Sequence, residues 1–245
     1  MAEKQASARS VVVVAPDVLV VDAALVDPPS LRWRAGQFVS LRCGDRHTGD
    51  PDARRSYSIA SSPKRDEGFE LLVKLLPDGV GSDFFRELAA GSAIPFTGPM
   101  GFFTCELAHQ GDAVFAATGT GIAAALPMIE ETLARPTETG KVRLFWGMRE
   151  ERELYWVDRL DAIASPRFDY QICLSRPSSE WTGTRGRING HVLAAVPELV
   201  KPVFYLVGNG DMVRDLKAGL ITTAGVDRKR QIRTEVFYPE TRAAG

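Results

Sequence analysis

Arg55-Ser56-Tyr57-Ser58-Ile59-Ala60-Ser61-Ser62 sets an arginine, an aromatic and several hydroxyls in alternation. Period two is the spacing at which a strand displays its side chains. The pattern predicts one face carrying Arg55, Tyr57, Ile59 and Ser61, and another carrying Ser56, Ser58, Ala60 and Ser62. That mixture suits a flavin dinucleotide. A guanidinium matches its diphosphate, a flat aromatic its ring, and a small hydrogen-bonding group its redox-active nitrogen. An ordinary half-exposed strand shows the same alternation, so the flanking elements have to decide.

Upstream, residues 10–15 and 18–25 are β-branched runs split by Ala15-Pro16-Asp17, and Asp27-Pro28-Pro29-Ser30 breaks the chain again. Gly36-Gln37 opens the alternating strand Phe38-Val39-Ser40-Leu41, and residues 44–52 are loop by composition. Downstream, residues 69–76 read as a strand ending at Pro77-Asp78-Gly79. Residues 83–89 read as a short helix with Ser82 as its N-cap. Residues 92–103 return to strand, interrupted by Gly98-Pro99-Met100-Gly101. Six short strands and one helix predict a closed antiparallel barrel over residues 1–110.

From residue 111 the rhythm changes. Apolar strands at 114–117, 141–147, 168–174, 202–207 and 232–237 alternate with helices at 122–134, 151–164, 190–196 and 212–224. The second of these helices is read from Leu154, Val157, Leu160 and Ile163 at threefold spacing. Five strands separated by helices predict a doubly wound parallel sheet over residues 111–245, with the domain boundary in residues 109–112.

Three glycine-bearing loops fall where phosphates bind. Gly79-Val80-Gly81-Ser82 enters the barrel's helix, whose free amides attract anions. Thr118-Gly119-Thr120-Gly121 follows the first parallel strand, the place of a dinucleotide loop, although it is not GxGxxG. Gly208-Asn209-Gly210 follows the fourth. One glycine after a strand is usually only a turn. Three at the expected element ends are much harder to dismiss.

Composition narrows the field. The chain has 245 residues, 44% hydrophobic and 25% charged, with net charge −1, which gives no footing for nucleic acid or an anionic membrane. Cys43, Cys105 and Cys173, and His47, His109 and His191, are scattered, so no metal site is expected. No apolar run reaches the length of a transmembrane helix, and the first ten residues lack a signal-peptide core; a cytoplasmic monomer is expected.

With those motifs placed, the chain resembles the ferredoxin–NADP⁺ reductase family along essentially its whole length, and most closely the bacterial reductases. Arg55, Tyr57, Ser58 and Ser61 match the family's RxYSxxS motif. Gly98-Pro99-Met100-Gly101-Phe102 matches its GP-x-G-F segment. Ala117-Thr118-Gly119-Thr120-Gly121-Ile122-Ala123, Phe145-Trp146-Gly147-Met148-Arg149 with Glu153-Leu154-Tyr155, Ser175-Arg176, Arg185-Gly186-Arg187-Ile188 and Gly208-Asn209 with Met212 resemble further family segments in order. The resemblance implies FAD on the barrel, NADPH on the second domain, and hydride transfer between them.

It also implies roles. FAD would meet Arg55, Tyr57, Ser58, Ile59, Ser61, Val73, Gly79, Gly81, Ser82 and a C-terminal aromatic, Phe237 or Tyr238, on a tail close to the flavin. NADPH would meet Thr118, Gly119, Thr120, Gly121, Arg149, Ser175, Arg176, Arg185, Arg187, Gly208, Asn209, Asp211 and Met212. Tyr57, Ser58 and Glu235 would serve the hydride step. Departures exist: Val207 stands where the family has a cysteine, and the chain runs seven residues past Tyr238.

The partner implied is a ferredoxin or flavodoxin. Residues 32–65 hold eight basic side chains against three acidic ones, which suggests docking of an acidic carrier near Arg32, Arg34 and Arg65, with the other arginines free for solvent. An NADH-dependent reductase component of an oxygenase, and a non-enzymatic flavin-binding module, are the competing readings.

Overall fold

The structure is a computed structural model that describes residues 2–106 and 110–238, Tyr238 by its main chain alone. It divides into two compact units, residues 1–104 and 105–245, a few residues ahead of the composition change near 109–112.

The first unit is a barrel of six antiparallel strands: β1 Lys4–Ala15, β2 Val18–Asp27, β3 Phe38–Arg42, β4 Arg54–Ser58, β5 Gly68–Lys74 and β6 Ala93–Met100. Their order is β4-β3-β6-β1-β2-β5. The sheet closes on itself at a narrow seam. Ile59 bridges Leu71, and the Ala60 amide donates to the Glu70 carbonyl at 2.8 Å. Val39 and Leu41 point inward from β3, as its alternation predicts, and meet Phe69, Phe96 and Ile94 in a dry core. Each such buried side chain contributes about 1.5–3 kcal/mol.

Two expectations fail here. Helix α1 runs Val80–Glu87, three residues earlier than its apolar pattern suggests, and its N-cap is Gly79. Ser82 is therefore inside the first turn; its hydroxyl reaches back to accept the Leu76 amide at 2.7 Å and pins the Pro77-Asp78-Gly79 turn. Strand β6 is also continuous through Gly98-Pro99 to Met100, because Gly98 takes φ +131 beside Phe38, a conformation that a side chain would strain.

In the second unit β7 Ala113–Thr118, β8 Val142–Met148, β9 Phe168–Leu174, β10 Thr184–Arg185, β11 Val203–Asn209 and β12 Ile232–Tyr238 form one parallel sheet. The order is β10-β9-β8-β7-β11-β12. The five expected strands are joined by β10, an edge of two residues that is too short to leave a pattern in the sequence. Helices α2 Ile122–Leu133, α3 Val157–Asp161, α4 Ile188–Ala195, α5 Gly210–Thr222 and α6 Arg228–Gln231 complete it. Strand order turns back at β7 and β11, which places the loops after these strands at a topological switch point.

The helix expected over 151–164 is broken. A 3₁₀ turn, Glu151–Glu153, precedes α3, and Trp156 sits between them at φ 57. Tyr155 and Trp156 are consecutive and both buried. Successive helical residues diverge by a fixed ~100°, so the chain leaves the helix to send Tyr155 against Trp146 and Trp156 beneath Arg159. At the other end of the sheet, buried Asp112 accepts from the amides of Lys141 and Val200, both at 2.8 Å.

Among the described residues no helix is long and apolar enough to cross a membrane.

Candidate functional site

In the barrel, β4 is brought against the start of α1. Tyr57 stacks edge-on to Phe85 of the helix, ring centroids 4.9 Å apart. The fit depends on Gly81: a Cβ there would lie 1.9 Å from the Tyr57 hydroxyl and 3.4 Å from Arg55 Cγ. Arginine, aromatic and a side-chain-free helix turn are thus packed as one group. Arg55 is exposed, with Nη1 donating to the Arg54 carbonyl at 2.7 Å. An exposed guanidinium beside main-chain amides is the donor set that a diphosphate needs, so these residues fit a flavin dinucleotide.

The two-faced display predicted for this stretch holds only to Ser58. Ser58, Ile59, Ala60 and Ser61 are all buried, because the strand ends at Ser58 and the chain turns into the barrel seam. Ser61 accepts the Glu70 amide at 3.0 Å, so its hydroxyl closes the barrel. Val73 is 1% exposed in the core, leaving its main chain as the part that could meet a ligand.

In the second unit Thr118-Gly119-Thr120-Gly121 ends β7 and turns through a 3₁₀ helix, Gly119–Gly121, into α2. Gly119 has φ +53 and open space where a side chain would stand. Gly121 faces the other way, where a Cβ would lie 2.7 Å from the Val207 carbonyl; at Gly208 it would lie 2.3 Å from Thr118 Oγ1. Two missing side chains therefore let the ends of β7 and β11 touch backbone to backbone. Thr118 Oγ1 accepts the Asn209 amide at 2.9 Å, and Asn209 caps α5 by accepting from Asp211 at 3.0 Å and Met212 at 3.2 Å. Met212 is buried, and Asp211 pairs with Arg214 at 2.8 Å.

Ser175 and Arg176 leave β9 exposed, the Ser175 hydroxyl donating to the Met148 carbonyl at 3.3 Å. Arg149 follows β8, exposed, and its carbonyl takes the Arg176 amide at 2.8 Å. Arg176 and Arg187 have no ion-pair partner among the described residues. Arg185 is engaged differently: Nη2 donates to the carbonyls of Ser178 at 2.8 Å, Ser179 at 3.2 Å and Trp181 at 2.8 Å, so it ties its own loop together.

A cavity of about 570 Å³ opens beside Arg176, with Arg152, Trp181 and the carboxylates of Glu150, Glu151 and Glu180 in its wall. Sequence reasoning missed these glutamates because Glu150 and Glu151 follow β8 while Glu180 follows β9. Glu151 accepts both the amide and the hydroxyl of Ser178, and the hydroxyl bond holds its carboxyl below the usual range. The lone tryptophan in a polar loop was the available signal.

Glu235 lies within β12, opposite Val207, with three strand residues after it. Phe237 is partly buried, and the side chain of Tyr238 lies outside the described residues. Among the described residues no three His, Cys, Asp or Glu side chains gather to hold a metal.

The basic segment is largely neutralised. Arg42 pairs with Glu3 at 2.9 Å, Arg54 with the same Glu3 at 2.6 Å, Arg46 with Glu87 and Arg65 with Asp22. Acids distant in sequence thus pair with four of these arginines, while Arg46 still faces solvent. Arg32 and Arg34 remain exposed.

Residues 7–105 match the model of the oxidoreductase FAD-binding domain, and residues 115–218 that of the oxidoreductase NAD-binding domain. Ferredoxin–NADP reductase B of Sorangium cellulosum is 32% identical over 214 residues, 83% of this chain and 85% of that protein. The reductase component of phenol 2-monooxygenase from a Pseudomonas species is 32% identical over 221 residues, 87% of this chain and 60% of that one. The structure of a ferredoxin NADP⁺ reductase from Neisseria gonorrhoeae with bound FAD and NADP superposes with a TM-score of 0.82 at 25% identity, covering 96% of this chain and 99% of that one.

Proposed function

The chain belongs to the ferredoxin reductase-like family of FAD- and NAD-binding oxidoreductases, and from that premise we propose that it is an NADPH-dependent flavoprotein reductase of a ferredoxin- or flavodoxin-type carrier. The packing of Arg55 and Tyr57 over Gly81 carries the flavin part of this reading. FAD, when bound, supplies chemistry that no side chain has, taking up a hydride and releasing electrons singly. Arg55 holds its diphosphate with the amides at Gly79, Gly81 and Ser82. Tyr57 offers a ring for stacking, Ser58 a hydroxyl, and Ile59, Ser61 and Val73 shape the wall. Glu235 serves the hydride step, and Phe237 or Tyr238 supplies the C-terminal aromatic.

For the coenzyme, Thr118, Gly119, Thr120 and Gly121 receive the diphosphate, and Gly208, Asn209, Asp211 and Met212 flank it. Arg176 and Arg187, with Arg149 and Ser175, receive the adenosine 2′-phosphate. Arg185 contributes by shaping the loop that carries Arg176. A second reading, an NADH-dependent oxygenase reductase, draws on the glutamates around Arg176, since a carboxylate accepts a free ribose hydroxyl but repels a phosphate.

One set of measurements tests both. Heat-released cofactor is expected to chromatograph as FAD, and Arg55→Ala to yield mostly apo-protein, because lysine or alanine cannot replace a bidentate guanidinium. An FMN peak overturns the flavin assignment. NADPH is expected to exceed NADH in kcat/KM, and Arg176→Ala with Arg187→Ala to narrow the gap. A preference for NADH decides for the second reading.

A further inference from the structure

Trp146, on β8, is completely buried, yet its indole Nε1 donates across the sheet to the carbonyl of Gly119 at 3.0 Å. Register explains the reach: Ala117 lies beside Trp146 and Thr118 beside Gly147, so the indole stands under the first turn after β7. Tyr155 holds the ring from another side, 5.2 Å away and inclined by 70°. The indole is therefore fixed before any ligand arrives.

What it fixes is one peptide plane. The bond between Gly119 and Thr120 is trans, and in a trans peptide the carbonyl and the amide N–H point in opposite directions. A carbonyl drawn toward Trp146 turns the Thr120 N–H away from it. Gly119 sits at φ +53, a conformation glycine adopts without strain, with nothing within 4 Å of where a side chain would stand. The loop lacks a side chain of its own to hold this plane.

We propose that Trp146 is a positioning residue for the coenzyme: its indole N–H locks the Gly119–Thr120 peptide so that the Thr120 amide faces a diphosphate. This rests on the reading that the loop after β7 receives the diphosphate of a dinucleotide. Preorganised amides bind an anion without first having to reorient, so the lock raises affinity for the diphosphate alone.

The test separates diphosphate binding from the rest of the coenzyme. Dissociation constants are measured by calorimetry on the FAD-loaded protein for ADP-ribose 2′-phosphate, which carries the diphosphate, and for 2′-AMP, which has no 5′-phosphate. Trp146→Phe keeps an aromatic ring and removes the donor. It is expected to weaken ADP-ribose 2′-phosphate three- to tenfold and to change 2′-AMP less than 1.5-fold. Replacing the Trp146 indole by its benzothiophene isostere keeps the full volume and puts sulfur in place of N–H, so the same split is expected even if phenylalanine disturbs folding. Equal weakening of both ligands overturns the proposal in favour of general packing, and no weakening of either overturns it outright. If the wild type binds both fragments equally, the loop does not receive a diphosphate, and the underlying reading falls first.

Discussion

A cysteine in a redox protein invites a redox role, and the three in this chain refuse it. Burial pushes the Cys43 thiol up to about 11, against the partial pull of Arg55, and burial likewise raises Cys173 to about 11 and Cys105 to about 12. The reactive thiolate is therefore scarce at neutral pH and grows only as pH climbs toward those values. Native protein at pH 7.5 is expected to take up iodoacetamide far more slowly than the urea-unfolded chain, in which all three react; rapid labelling of Cys43 would contradict its environment. Ser58 is the hydroxyl assigned to the reacting end of the flavin. Ser58→Ala is expected to slow flavin reduction by NADPH in stopped flow about tenfold or more while leaving flavin content near wild type. An unchanged rate removes Ser58 from the hydride step. Ser58 enters this proposal from its place after Tyr57 in the sequence, whereas Trp146 had no such signal. A tryptophan in an apolar strand looks like core, and only the fold shows that its one polar atom meets a carbonyl of another loop.

At the scale of elements, the junction of β4 with α1 is the most sensitive place in the barrel. Gly81→Ala introduces one methyl group where the Tyr57 hydroxyl already lies. Either the ring or the helix turn has to move, at a cost of about 1–3 kcal/mol, and both belong to the proposed flavin site. FAD affinity is expected to fall at least tenfold, read by flavin fluorescence on dilution, with the far-UV circular dichroism retained. Unchanged affinity would show that the turn does not touch the cofactor. Strands were legible here because β3 and β7 follow simple burial patterns. Helix limits were less so: α1 begins where Pro77-Asp78-Gly79 allows, and the 151–164 helix breaks because two adjacent aromatics need opposite surroundings. Tertiary demand overrode a good threefold repeat. The edge strand β10 exists because the parallel ladder of β9 recruits two residues, an event that no local pattern announces.

For the whole molecule, charge counted along the chain misleads. The basic segment before and after Arg55 looks like a docking face, but Glu3, Asp22 and Glu87 fold onto much of it. Arg32 and Arg34 stay exposed, so steering of an acidic carrier rests on few charges. Electron transfer to an acidic ferredoxin is expected to slow with added salt, over the range where the Debye length drops below about 8 Å. Reversing Arg32 and Arg34 to glutamate should slow it further at low salt, with NADPH reduction of the flavin little affected. A double reversal without effect places docking elsewhere. The order of the two units was legible from strand rhythm, and their cofactor classes from the Arg55 motif and the family resemblance; the ion pairs were not, because they join residues far apart in sequence.

The barrel seam has a thermodynamic consequence. Where β2 shares long ladders with β1 and β5, β4 and β5 are joined through Ile59, Ala60 and Ser61, the same residues that continue the flavin motif. A ligand that binds only the closed form draws the equilibrium toward it. With FAD on the proposed site, flavin and seam would act as clasp and hem, and losing one would loosen the other. Amide exchange at Ala60 and Glu70 should accelerate on removal of FAD by more than at Val21, in the middle of the β1–β2–β5 ladder. Uniform acceleration would mean that the barrel opens as a single cooperative unit instead of unfastening along one edge.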